Sequence, residues 1–244
     1  MIYEDLIEQY KNLDESEAHA LLIYKSRLSR AINSLDIDDE EVIESYNTLD
    51  IDDEEVIESY NTYKEYLENP SNIFMKMTVF KDIDFSDISS FKNSLELVKK
   101  KIEDASLKMR LKDDLTVYRA LSVSKDDSVS FISRSDIIST STSFDECSKF
   151  IIPDSNYKHT LYQINLEKDS PVLICPYSIL IKDGVLSLTQ RHDQKEIILL
   201  KDNYDFTEVL STDAKLKDLD NINIVLLDVK VSDRAKNNSR VNKM

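Results

Sequence analysis

The sequence predicts an α+β protein, with helices first and strands afterwards. Up to about residue 114 the apolar residues recur at helical spacing, every three, four or seven positions. Beyond that point they alternate with polar residues, the period of a strand. Helices and strands segregated along the chain favour an antiparallel or mixed sheet over a doubly wound one.

The helical part opens on Asp14 and Glu17, three residues apart ahead of an apolar run. This is a capping box, and it predicts a helix to about Ala31. Residues 35–48 read LDIDDEEVIESYNT, and residues 49–62 repeat them without a change. Fourteen residues are two heptads, so the insertion nearly preserves the faces of a helix. Leu21, Leu28, Leu35, Val42, Leu49, Val56 and Tyr63 fall on one seven-residue spacing, and Ile43, Tyr46, Ile57 and Tyr60 widen the stripe. One long helix and two shorter ones broken at Leu49–Asp53 both fit this pattern. Asn69-Pro70-Ser71 reads as a turn. Phe91–Arg110 carries apolar residues at helical spacing. Strands are expected at Leu115–Leu121, Ile137–Ser143, His159–Leu166, Pro171–Cys175, Lys195–Lys201 and Ile222–Val231. Residues 234–244 are polar and basic, as expected of a tail.

Composition excludes several classes. A single glycine, Gly184, leaves no glycine-rich nucleotide loop of any standard kind. No apolar run approaches the length of a membrane span. The N-terminus is acidic and lacks the basic-then-apolar order of a signal peptide. The expected location is therefore the cytoplasm, or a target cell reached by a route without a signal peptide. Cys147 and Cys175 are expected to be free thiols. His19, His159 and His192 lack the spacing of a zinc site, so no metal is expected. The net charge of −16 is local, because the two repeat copies hold twelve of the 47 acidic residues and no basic one. The acidity thus says nothing against an anion site elsewhere.

Three segments carry chemical interest. Arg119 lies inside the apolar strand Val117-Tyr118-Arg119-Ala120, where a charge is costly unless paired or used to hold an anion. Ser139-Thr140-Ser141-Thr142-Ser143 ends another strand with five hydroxyl residues. Gln194-Lys195-Glu196 opens the apolar run Ile197–Leu200 and puts residues 194 and 196 on one face. Taken singly, each has an ordinary reading: an edge arginine, a β-prone polar edge and a solvated carboxylate.

Together, in this order, they resemble the Arg–Ser–Glu set of mono-ADP-ribosyltransferases, most of all the clostridial Rho-modifying exoenzymes. Ser141-Thr142-Ser143-Phe144 resembles the family's Ser-Thr-Ser segment with its following aromatic, although Ser139-Thr140-Ser141 fits the motif too. Val172–Ser178 looks like the strand and turn before the catalytic loop, and Val56–Leu67 like the helix that opens the catalytic domain. The likeness covers about 54–231. It departs at Ala120, where many relatives have glycine, and the extra methyl would narrow approach to NAD.

The resemblance implies a split core of two small, roughly perpendicular sheets with NAD in the cleft between them. It implies a helical extension over 1–53, a catalytic domain over 54–233 and a tail over 234–244. Arg119 would grip the NAD phosphates, Ser141 would orient Glu196, and Glu196 would bind the ribose and stabilise charge developing there. Ala120, Ser141, Thr142, Ser143, Tyr60 and Phe150 would complete the NAD site. Gln194 in place of glutamate implies transfer to an asparagine- or glutamine-type side chain of a target protein rather than to arginine. Ser178–Asp193, containing Gly184, Arg191, His192 and Asp193, would be the acceptor-recognition loop. A toxin or effector role follows from the same likeness, with an antitoxin, immunity protein or secretion chaperone as the partner of the N-terminal helices. The alternatives are a nucleic-acid acceptor, an NAD glycohydrolase, and a non-enzymatic acidic helical protein that binds a basic partner.

Overall fold

In a computed structural model the chain is α+β, with helices preceding a mainly antiparallel sheet. The structure describes residues 2–35, 51–125, 136–151, 154, 156–190, 195–215 and 221–232. The first repeat copy from Asp36 onwards, Arg191–Gln194 and the basic tail therefore lie outside the described residues. Among those described, no helix is long and apolar enough to cross a membrane. Neither Cys147 nor Cys175 is in a disulfide, and both are buried.

The backbone divides into two compact units. One comprises Met1–Asn12, Ser106–Ile174 and Asp193–Met244; the other comprises Leu13–Ala105 and Cys175–His192.

The second unit is mostly helical. Helix α2 (Glu15–Ile23) starts at Asp14, whose carboxylate accepts from Glu17 N while Glu17 answers at the Asp14 N–H, completing the expected capping box. The helix does not run unbroken to Ala31. A π turn at Tyr24–Leu28 contains Ser26 in an extended conformation, and the short α3 (Ser29–Asn33) follows. The Arg27 N–H released by this break donates to the Tyr63 hydroxyl at 3.0 Å. Helix α4 (Ile51–Glu68) holds most of the second repeat copy. Of the heptad residues, Leu21, Leu28, Val56 and Tyr63 are fully buried and Leu35 is half-buried, while Val42 and Leu49 lie outside the described residues; Ile57, expected to widen the stripe, is 47% exposed. Asn69 caps a short 3-10 turn at Pro70–Asn72, where the turn was expected. Helices α5 (Ile73–Thr78) and α6 (Ile88–Ser106) complete the helical set. Tyr60, Phe85 and Phe91 pack ring against ring with centroids 5.2–6.4 Å apart.

This unit also contains a hairpin, β4 (Tyr177–Lys182) and β5 (Val185–Gln190). The segment was expected to be a loop, and the correction has a plain cause. Asp183 and Gly184 both adopt positive φ, 51° and 74°, as a two-residue hairpin turn with inverted twist requires.

The first unit begins with helix α1 (Ile2–Tyr10) and is built on a six-stranded sheet of order β6-β2-β1-β3-β8-β7. Its strands are β1 (Leu115–Ser124), β2 (Ile137–Ser141), β3 (Tyr157–Leu166), β6 (Glu196–Leu200), β7 (Tyr204–Lys215) and β8 (Asn221–Val231). β3 and β8 run parallel and the other pairs antiparallel. Of the two sheets expected, one is the two-stranded β4–β5 hairpin and the other is this six-stranded sheet. The six-stranded sheet has a weak seam. β1 pairs with β3 along its whole length, but with β2 only at Tyr118 and Ser141. Pro171–Cys175 is not a strand. It makes isolated bridges at Pro171 and Leu173, and the prolines at 171 and 176 deprive a longer ladder of donors. β7 was not expected at all. Its pairing shifts between Glu208 and Leu210, which interrupts the alternation a sequence reading depends on and leaves Val209 exposed.

Candidate functional site

The site is assembled at the seam between β1 and β2. With so little backbone pairing there, side chains tie the strands together. Arg119 reaches from β1, and its Nη1 donates to the Ser139 carbonyl of β2 at 2.9 Å. The Ser139 hydroxyl donates in turn to Oε1 of Glu196, the first residue of β6. Arg119, Ser139 and Glu196, from three strands, are thus linked through the carbonyl and the hydroxyl of Ser139, and all three are half-buried.

The strand period explains why they meet. β2 and β6 are antiparallel, with Ser141 opposite Glu196 and Ser139 opposite Ile198. Ser139, Ser141 and Glu196 therefore share a face. Ser139 sits diagonally from Glu196, within reach of a long side chain. The ladder runs one step further, because Thr142 N donates to the Lys195 carbonyl at 3.2 Å. Lys195 itself has φ 42°. A left-handed backbone at a non-glycine residue costs about 1–2 kcal/mol, and it turns the chain sharply just ahead of Glu196.

The run of hydroxyls divides its work. Thr140 Oγ1 donates to the Ile197 carbonyl at 2.7 Å, stapling β2 to β6 from the buried side. Ser141 Oγ accepts from Ser143 N at 3.1 Å. Ser143 Oγ accepts from Glu146 N and caps helix α7 (Phe144–Ser148). Ser139, from the alternative reading Ser139-Thr140-Ser141, donates its hydroxyl to Glu196, and the expected part of Ser141 in orienting Glu196 stays a proposal. Ser141 sits directly opposite Glu196 on the ladder, and its hydroxyl also closes the turn into α7.

The other expected residues fall as follows. Ala120 points to the opposite face of β1 from Arg119. Its methyl packs with Tyr118 and Phe144 against Cys147, Ile151 and Leu161. Ala120 therefore contributes to the core. Burial in this cluster pushes the Cys147 thiol up to about 11, so it carries no thiolate near neutral pH. Phe150 follows α7 and is 70% exposed. Tyr60 belongs to the helical unit, where its ring packs on Phe85 and Phe91 and its hydroxyl accepts from Lys64 Nζ at 2.9 Å. Gln194, Arg191, His192 and Asp193 lie outside the described residues. Among the described residues no group of histidine, cysteine and carboxylate side chains could hold a metal ion.

The arrangement offers a guanidinium for an anion, a hydroxyl that fixes one carboxylate oxygen, and a carboxylate at a strand start. Such a set suits binding a phosphate and a diol and stabilising positive charge between them. Ser139 is the residue that sequence order alone placed second. Strand period was the signal that could have promoted it, since Ser139 and Glu196 share a face in any antiparallel register that opposes residues 141 and 196.

No protein-family model matches the chain, and no curated protein matches it. Solved structures similar to it include the ADP-ribosylating toxin BECa of a binary enterotoxin of C. perfringens, with NADH. That match has a TM-score of 0.49 at 12% identity and covers 95% of this chain and 46% of that one. The present chain thus spans about half of the toxin. Plx2a, an ADP-ribosyltransferase toxin from Paenibacillus larvae, matches with TM-score 0.49 at 14% identity, over 93% of this chain and 92% of that one. An ADP-ribosyltransferase from Clostridium botulinum matches with TM-score 0.47 at 12% identity, over 93% and 92% of the two chains.

Proposed function

We propose that this chain is an NAD-dependent mono-ADP-ribosyltransferase that transfers ADP-ribose to a macromolecular acceptor and releases nicotinamide. The single observation behind this reading is the Arg119–Ser139–Glu196 network. Sequence order singled out an arginine, a serine run and a glutamate, and the fold joins them through two hydrogen bonds at a seam in the sheet.

In this reading NAD is a substrate, and the donor set fits it. Arg119 is the phosphate ligand, since a planar guanidinium meets phosphate oxygens with paired hydrogen bonds where no glycine loop is available. Glu196 accepts from a ribose hydroxyl beside the bond it takes from Ser139. As the bond from ribose to nicotinamide breaks, positive charge grows on the ribose, and a fixed carboxylate beside it lowers the barrier. The Ser139 hydroxyl keeps that carboxylate from rotating away. The chemistry parallels glycoside cleavage, because both reactions break a bond at an anomeric carbon.

The acceptor we favour is a protein side chain of the asparagine or glutamine type. Gln194, two residues before Glu196, offers an amide donor and acceptor but cannot deprotonate a guanidinium. The hairpin before it exposes Leu180, Val185 and Leu188, a surface better suited to protein than to nucleic-acid phosphate. A toxin or effector role follows from that chemistry. The test is incubation with labelled NAD and target-cell lysate. Wild type is expected to label protein, and Glu196→Ala is not. Label that resists hydroxylamine supports an amide acceptor, whereas label on RNA or DNA, or free ADP-ribose alone, overturns the choice of acceptor.

A further inference from the structure

Three non-glycine residues among those described have positive φ: Asp169 at 67°, Asp183 at 51° and Lys195 at 42°. The first two are aspartates in turns, and a short polar side chain tolerates the left-handed region by bonding backbone nearby. Lysine has no such tolerance, and the Lys195 side chain is exposed. Strain of this kind persists only where the surroundings over-determine it, and it gathers at functional sites.

The surroundings of Lys195 are β2 and the start of β6, in the same compact unit. Its carbonyl accepts from Thr142 N at 3.2 Å, at the end of the ladder that sets Glu196 opposite Ser141. Thr140 Oγ1 holds the Ile197 carbonyl, one residue beyond Glu196. Bonds to the backbone on both sides of Glu196 thus fix where it stands. The left-handed rotation is about the N–Cα bond of Lys195, ahead of the bonded carbonyl. It bends the incoming chain and leaves that carbonyl in the ladder. β6 therefore begins at Glu196, whose half-buried carboxylate meets the Ser139 hydroxyl. An extended φ at residue 195 would run the chain straight on or pull its carbonyl off Thr142.

We infer that Lys195 is a positioning residue for Glu196, acting through its left-handed backbone and not through its ammonium group. This rests on the function proposed above, in which the Glu196 carboxylate acts on the ribose.

Three substitutions that all remove the charge separate backbone from side chain. Asparagine and glycine accept positive φ, whereas valine, branched at Cβ, is driven to extended backbone. The readouts are kcat and KM for nicotinamide release from NAD, below the melting point of every variant. Lys195→Asn and Lys195→Gly are expected to keep kcat within about threefold of wild type. Lys195→Val is expected to lower kcat about tenfold or more, with KM within about threefold. Lys195→Thr, branched in the same way, carries the test if Lys195→Val does not fold. A general loosening would lower kcat in any background, but a residue that acts through Glu196 does not. In Glu196→Gln, adding Lys195→Val is expected to cost less than about twofold more. Equal kcat in Lys195→Asn and Lys195→Val, whether kept or lost, overturns the inference and leaves the function standing. So does a full tenfold further loss in the Glu196→Gln background, by the same non-additivity argument. Wild type without any NAD turnover overturns both.

Discussion

Replacing Ser139 by alanine tests the register of the serine run. The hydroxyl donates to the Glu196 carboxyl group, and a hydrogen bond to a charged group contributes about 1.5–3 kcal/mol. If that energy is expressed while charge develops on the ribose, turnover falls roughly 10- to 150-fold, at about 1.4 kcal/mol per decade. The backbone should not suffer, because the Ser139 carbonyl still accepts from Arg119 and the β2–β6 ladder is untouched. Ser141→Ala is the matched control. It removes an acceptor for Ser143 N at the entrance to α7, so it should cost about 0.5–1.5 kcal/mol of stability and less than about fivefold in turnover. The assay is nicotinamide release at saturating NAD, with thermal melts to confirm folding. Ser141→Ala falling as far as Ser139→Ala, or further, while both proteins remain folded would refute the register.

Two further outcomes follow from the same geometry. Arg119→Lys keeps the charge but loses the planar pair of donors, so the dissociation constant for NAD is expected to rise about tenfold or more by titration calorimetry, and an unchanged constant would remove Arg119 from the phosphate site. Tyr63→Phe deprives the Arg27 N–H of its acceptor at the π turn. It should cost about 1–3 kcal/mol, seen as a melting point lower by roughly 2–4 °C per kcal/mol, and an unshifted melt would mean that water serves the amide equally well.

The fold was legible where period was undisturbed. The capping box at Asp14 and Glu17 is the helix start it spelled, and the seven-residue stripe through Leu21, Leu28, Val56 and Tyr63 is the buried face. Three features escaped for physical reasons. The break at Ser26 leaves the apolar spacing intact, since a π turn adds a residue without exposing Leu28. β7 carries a register shift that spoils its alternation. The hairpin at 177–190 carries a clear signal in Asp183-Gly184, but the family likeness suggests a loop there. Residue types and order singled out Arg119, the serine run and Glu196, which hydrogen bonds bring together in the fold. Which of several serines meets the carboxylate depends on register, and register is fixed by the cross-strand partner rather than by the strand's own sequence. The contacts of Asn72 with the hairpin were not legible at all, because Gly184 and Leu186 lie more than a hundred residues away.

In the proposed reaction the Glu196 carboxylate stabilises charge on a ribose during nicotinamide loss. Glu196→Gln removes the charge while keeping size and hydrogen-bonding capacity, so Ser139 retains a partner. Nicotinamide release measured beside NAD affinity tests the claim directly. Release is expected to fall at least about a hundredfold, with the dissociation constant for NAD within about fivefold of wild type. A Glu196→Gln protein that binds NAD and releases nicotinamide at the wild-type rate would contradict it.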